Sequence, residues 1–276
     1  MNPKVSILDT KSGRYMVMST NDALTQILLR DGVHEEAVLN LSRFILADTI
    51  GETVVLDIGA NIGSYCIPLA REVERGVNIK LFSFEIQRQV FLQLCGNIFL
   101  NSLDNVFAYN FGIGAESKTI KIPKIDYAQC WNVGGYSITP EARSVPRTDF
   151  PNQTIIGEED SEIRSIDELP FVPGANLVKL DVEGAEIDVL RGMQKYLELS
   201  GFPPIIFELW NFDWFEKQRG ELLDFLARIG YGNISIDIGQ FNHLAQHDKS
   251  IHPEILFHMN QGVINISKGK ARRRQP

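Results

Sequence analysis

Acids and glycines placed where apolar runs end are the residues of this sequence best suited to chemistry. Asp57 lies in the apolar run 54–58 and is followed by Gly59-Ala60-Asn61-Ile62-Gly63. Glu85 follows a second run at 80–84, Asp181 and Glu183 follow a third at 177–180, and Glu208 closes a fourth at 205–207. Without a Cβ, Gly59 can turn at positive φ and let a ligand approach the backbone, while Gly63 lets a helix pack close to the strand. A pyrophosphate asks for three glycines spaced G-x-G-x-x-G, and Asn61 fills the middle position. That spacing and the charge of Asp57 count against a nicotinamide dinucleotide. A carboxylate there attracts an ammonium group instead, and an acid at the next strand end accepts from ribose hydroxyls. S-adenosylmethionine offers both groups.

The elements that must hold these residues follow from periodicity. Residues 54–58 are β-branched and apolar enough for a strand buried on both faces, and 64–74 reads as a returning helix. Residues 80–84 read as a second strand and 106–113 as a third, with helical spacing of Val90, Phe91, Leu94, Ile98 and Phe99 between them. Strands at 176–181 and 204–210 and helices at 185–193 and 215–229 continue the alternation. Residues 231–238 and 254–259 complete seven strands, the last antiparallel after a polar hairpin. Between 114 and 174 six prolines break any long element, so this stretch is expected to be an irregular, lid-like insertion over the site. Within it Trp131-Asn132-Val133-Gly134-Gly135-Tyr136-Ser137 could stack on a sugar or other ring. Strand alternation puts Lys179 and Asp181 on one face, and Lys179 is expected to pair with Asp57 across adjacent strands.

The 276 residues are 44% hydrophobic with a net charge of −8, a globular composition that disfavours nucleic-acid partners. Cys66, Cys95 and Cys130 show no metal spacing, which fits a reducing compartment. No apolar run approaches the roughly 20 residues of a membrane span, and a cytoplasmic location is expected. His243 and His247 form an i,i+4 pair in what reads as a solvated polar loop. Residues 268–274 hold five basic side chains, the mark of a disordered basic tail at 267–276.

Three segments together resemble the FkbM family of S-adenosylmethionine-dependent methyltransferases: Asp57-Ile58-Gly59-Ala60-Asn61-Ile62-Gly63, Ser165-Ile166-Asp167-Glu168-Leu169, and Leu177-Val178-Lys179-Leu180-Asp181-Val182-Glu183-Gly184-Ala185-Glu186. Upstream, Asp31-Gly32-Val33-His34-Glu35-Glu36 resembles the family's acidic segment before the first strand. The resemblance implies an α/β, Rossmann-like class I methyltransferase at 51–266, with a seven-stranded mostly parallel sheet, helices on both faces and an N-terminal extension at 1–50 packed on the core. It implies cofactor contacts from Asp57, Gly59, Asn61, Gly63, Glu85, Ile86 and Asp181, with Asp181 and Glu183 facing the methyl group. Family members mostly methylate hydroxyls of sugars or natural products, so a small-molecule or glycan acceptor is expected.

A sulfonium methyl is already activated, and alignment of the acceptor oxygen is the main task. A base adds about 10²-fold to 10⁴-fold. The catalytic candidates are Asp181, Glu183 and Glu208, with Asp181 or Glu208 as the base. A free carboxyl titrates near about 4, so burial must raise the one that serves. No metal is favoured; Asp181, Glu208 and Asn211 are the alternative magnesium set. Other readings are methylation of a protein or other acceptor, and a non-catalytic interaction protein that keeps the fold.

Overall fold

A computed structural model describes residues 4–18, 22–127, 132–135, 137–139, 154–260 and 263–269. The chain starts with an antiparallel hairpin, β1 (Val5–Thr10) and β2 (Gly13–Met18), then helices α1 (Ala23–Asp31) and α2 (Glu36–Leu46). β3 (Thr53–Ile58), β4 (Ile79–Phe84) and β5 (Val106–Tyr109) follow, separated by the short helix α3 (Cys66–Ala70) and the longer α4 (Arg88–Leu100). β6 (Gly112–Ile113), β7 (Lys118–Ile125) and β8 (Ile155–Arg164) form a separate small sheet. β9 (Leu177–Leu180), β10 (Ile205–Glu208), β11 (Asn233–Ile234) and β12 (Asn242–Gln246) return to the main one, and β13 (Ile255–Asn260) pairs with β14 (Val263–Lys268) as a second hairpin.

The main sheet has seven strands in the order β11-β12-β10-β9-β3-β4-β5. β5, β4, β3, β9 and β10 run parallel, and β12 is antiparallel to both of its neighbours. Because side chains alternate across a strand, the sheet feeds two cores. Val55, Leu81, Leu177, Ile206 and Leu244 face the N-terminal elements, α3 and α4. Val54, Leu56, Ile58, Phe84, Val178, Leu180 and Phe207 face the helices Glu186–Arg191, Gln194–Leu199 and Glu216–Arg228.

The N-terminal hairpin docks through amides rather than through apolar contact alone. Gln93, Asn97 and Asn101 are spaced one turn apart along α4 and meet the edge of β2: Gln93 Nε2 donates to the Met16 carbonyl (2.6 Å), and Asn97 Oδ1 accepts from the Met16 N–H (2.5 Å). Asn101 accepts from the Arg14 N–H (2.9 Å) and donates to its carbonyl (2.7 Å). Edge groups that would otherwise lack partners are thereby satisfied.

Four expectations need correction. The strand expected at 254–259 exists, but it belongs to the terminal hairpin; the antiparallel member of the main sheet is β12. The sixth strand is limited to Asn233–Ile234. The 114–174 stretch carries the β7/β8 hairpin, and Pro123 is tolerated because β7 is an edge strand that needs no second partner. His243 lies in β12 rather than in a loop, while His247 is in the loop that follows; their rings pack on Phe207 and Phe202. Trp131, Tyr136 and the tail beyond residue 269 lie outside the described residues. Lys268 ends β14 and pairs with Asp48 at 2.7 Å.

Candidate functional site

The strand ends of β4, β3, β9 and β10 open into a cavity of about 380 Å³. Gly59, Asn61, Glu85, Ile86, Asp181, Glu183 and Glu208 all line it, so residues 149 positions apart in the chain share one space. Gly59 turns at φ +89°, and a Cβ there would fall inside the Asp181 carbonyl. Its N–H and that of Ala60 both donate to Phe84 O (3.0 Å each). Asn61 adopts φ +52°, and its side-chain oxygen accepts from the Ile62 N–H at 2.8 Å. Each Glu85 oxygen takes one backbone N–H, from Asn61 (2.9 Å) and Gln87 (2.8 Å), which aims the carboxyl into the cavity. Burial raises that carboxyl to about 7 despite the two donors.

Two of the expected cofactor residues do not reach the cavity. Asp57 is fully buried, and neither oxygen makes a well-formed hydrogen bond among the described residues. Burial lifts it to about 7, against the pull of the Lys179 ammonium and the weak Cys66 thiol donor. The direct ammonium contact expected of Asp57 is therefore corrected: its strand register turns the carboxyl toward α3, beneath the floor. Gly63 packs against α3 and α4, where a Cβ would stand 2.7 Å from Ile67 Cδ1 and 2.9 Å from Leu94 Cδ1.

Lys179 is Asp57's register partner across β3 and β9, yet its ammonium goes elsewhere. It lies 2.7 Å from Asp181 Oδ2 and 3.7 Å from Glu35 Oε2. Burial works against its charge, but Asp181, Glu35 and Asp57 together hold it well above its ordinary range. Glu35 was not singled out from sequence. It arrives from the turn before α2 with φ +49°, and Asn242 Nδ2 donates to its Oε1 at 2.8 Å. Its only sequence mark is its place in the acidic segment 31–36.

Glu208 closes the far end. Its Oε2 has no partner among the described residues, and burial, then Asp181, Glu183 and Glu186, push the carboxyl well above the ordinary range. Glu183 sits at φ +55° in the turn after β9, where Glu186 accepts from the N–H groups of Val182 (3.4 Å) and Gly184 (3.2 Å). Trp210, Phe212 and Phe241 form an aromatic wall beside Glu208. Asn211 does not line the cavity, and its side-chain oxygen accepts from Arg219 Nη1 at 3.0 Å, so the magnesium set Asp181, Glu208 and Asn211 is not assembled. Among the described residues no group of three or more His, Cys, Asp or Glu is placed to hold a metal. Nor is any helix among them long and apolar enough to cross a membrane.

The sheet order, the antiparallel strand and the glycine turn facing an acid on the next strand define a class I methyltransferase fold. The chain belongs to the FkbM methyltransferase family, whose domain model matches residues 57–232. It is 26% identical to Methyltransferase 1 of the fungus Beauveria bassiana over 58% of this chain, and spans 66% of that protein's length. It is 25% identical to the hexuronic acid methyltransferase AglP of Haloferax volcanii over 73% of this chain and 72% of that protein. A solved S-adenosylmethionine-dependent O-methyltransferase of Thermotoga maritima superposes loosely, with TM-score 0.43 and 12% identity over 99% of this chain and 80% of that one.

Proposed function

We propose that the protein transfers a methyl group from S-adenosylmethionine to a hydroxyl of a sugar or a related natural product. The observation that carries this reading is one cavity with two differently dressed acids: Glu85 tethered by backbone N–H groups at one end, Glu208 with an unpartnered oxygen beside aromatic rings at the other. β4 and β10 are three strand spacings apart, about 14 Å, which leaves room for a nucleoside, its amino-acid arm and an acceptor in line.

The residues fit that cofactor: Gly59 lines the cavity without a side chain, in a turn held tight against the Asp181 carbonyl, and Glu85 keeps lone pairs for ribose hydroxyls. When bound, S-adenosylmethionine supplies a methyl group already activated by a sulfonium centre. Gly59, Asn61, Glu85, Ile86 and Asp181 would hold it, with Asp57 supporting the floor through Lys179. Glu208 would take the proton from the acceptor hydroxyl, and Asp181 and Glu183 would orient that hydroxyl. The aromatic wall excludes water. The name of the haloarchaeal relative supports a sugar acceptor.

The test is incubation of the purified protein with S-adenosylmethionine and panels of glycosides and phenols, reading S-adenosylhomocysteine release and product mass. A product stable to mild alkali is an ether, the expected outcome; an alkali-labile methyl ester would place transfer on a carboxylate and contradict the reading.

A further inference from the structure

The lining of the cavity is rich in acids. Five carboxylic side chains are among its described lining residues, none of which is Lys or Arg, and His34 is the one described lining side chain able to carry positive charge. Lys179 lies behind Asp181 with 4% of its side chain exposed and is engaged by Asp181 and Glu35, so it offers nothing to an incoming anion.

The aromatic wall beside Glu208 is built at a cost. Phe212 and Phe241 stand with ring centroids 5.3 Å apart. Phe241 reaches that position through a tight turn in which Gln240 (φ +53°) and Phe241 (φ +64°) are both left-handed, between Gly239 and Asn242. The Asn242 N–H closes the turn on Gly239 O (3.1 Å), and Leu209 N–H ties Phe241 O to the end of β10 at 2.8 Å. Such two-residue turns favour Asn or Gly; residues with larger side chains are disfavoured there. A strained turn that presents an aromatic ring to a cavity is a positioning device. It lies beyond the last residue of the family match.

We propose, resting on the sugar-methylation reading above, that the acceptor is a sugar bearing no carboxylate or phosphate, docked with its C–H face on Phe241 and Phe212 and a hydroxyl toward Glu208. An apolar ring face removes aromatic surface from water. A carboxylate carried into the same space would meet no Lys or Arg among the described lining residues, and burial of a charge without such a partner is strongly unfavourable. A neutral or ammonium-bearing ring meets acceptor oxygens instead.

The experiment compares a matched set, methyl glucoside, methyl glucosaminide and methyl glucuronide, on the intact protein. Binding is read by calorimetry with S-adenosylhomocysteine present, and turnover with S-adenosylmethionine. The neutral and amino rings are expected to exceed the glucuronide at least about tenfold in kcat/KM and affinity. Phe241→Ala is expected to raise KM for the preferred ring about tenfold and leave S-adenosylhomocysteine affinity within about twofold; Phe241→Tyr restores it. Equal or better use of the glucuronide, or an unchanged KM in a folded Phe241→Ala protein, overturns this inference and leaves sugar methylation standing. Neither binding nor turnover with any of the three rings overturns both.

Discussion

Glu208 is the side chain on which the proposed chemistry turns, because a base must be ionised and this one is held protonated to unusually high pH. Its burial and the neighbouring Asp181, Glu183 and Glu186 oppose ionisation, so kcat/KM should rise with pH through a value above the ordinary carboxylate range. Glu208→Gln should lower kcat about 10²-fold or more and flatten that limb while leaving cofactor affinity intact; an unchanged pH profile would sink the role. Lys179 poses a different problem. Lys179→Met leaves Asp57, Asp181 and Glu35 together without their cation, and the loss of a buried partner typically costs about 3–5 kcal/mol. Chemical denaturation should register it as a large drop in midpoint at neutral pH and a smaller one in acid. Asp181, Glu183 and Glu208 were legible as acids at the ends of apolar runs. Glu35 and Phe241 were not, because each reaches the cavity by a left-handed turn and a contact with distant chain, neither of which leaves a periodic trace.

At the scale of elements, the parallel part of the sheet was legible because its strands are short and apolar, and β3, β4, β9 and β10 are each followed by a helix. β12 escaped notice because Asn242, His243 and Gln246 make it polar, although Leu244 and Ala245 bury a face each. The polar ladder of Gln93, Asn97 and Asn101 was equally invisible to a search for apolar spacing. It gives a sharp expectation: Asn97 is fully buried between the Met16 N–H and the Ile62 carbonyl, so Asn97→Ala strands two backbone groups. The cost should be about 1–3 kcal/mol by urea titration, and a neutral result would show that the hairpin docks by apolar contact alone. The turn after β3 is the element closest to function. Gly59→Ala combines a left-handed backbone with a collision against the Asp181 carbonyl, and should remove cofactor binding while far-ultraviolet circular dichroism stays native.

For the whole molecule, three buried carboxyls set a stability profile that runs opposite to the usual one. Asp57 is raised from 3.8, and Glu85 and Glu186 from 4.5, each to about 7. Between those limits the native state holds protons that the unfolded chain has released, so their contribution is full below about pH 4 and is lost as pH climbs through about 7. The melting temperature of the cofactor-free protein should therefore decline between about pH 5 and about pH 7, and Asp57→Asn should soften the decline; a rise across that window would contradict the burial of these groups. Glu85 and Asp181, which do line the cavity, make it a site for a cation-bearing nucleoside rather than a dinucleotide, and that is the central claim. Calorimetric titration with S-adenosylhomocysteine, with NAD as the comparison and Gly59→Ala as the control, tests it most directly. Micromolar binding of S-adenosylhomocysteine, no heat with NAD and no binding to Gly59→Ala are the predicted results; a wild-type protein that binds NAD, or binds neither ligand, would contradict it.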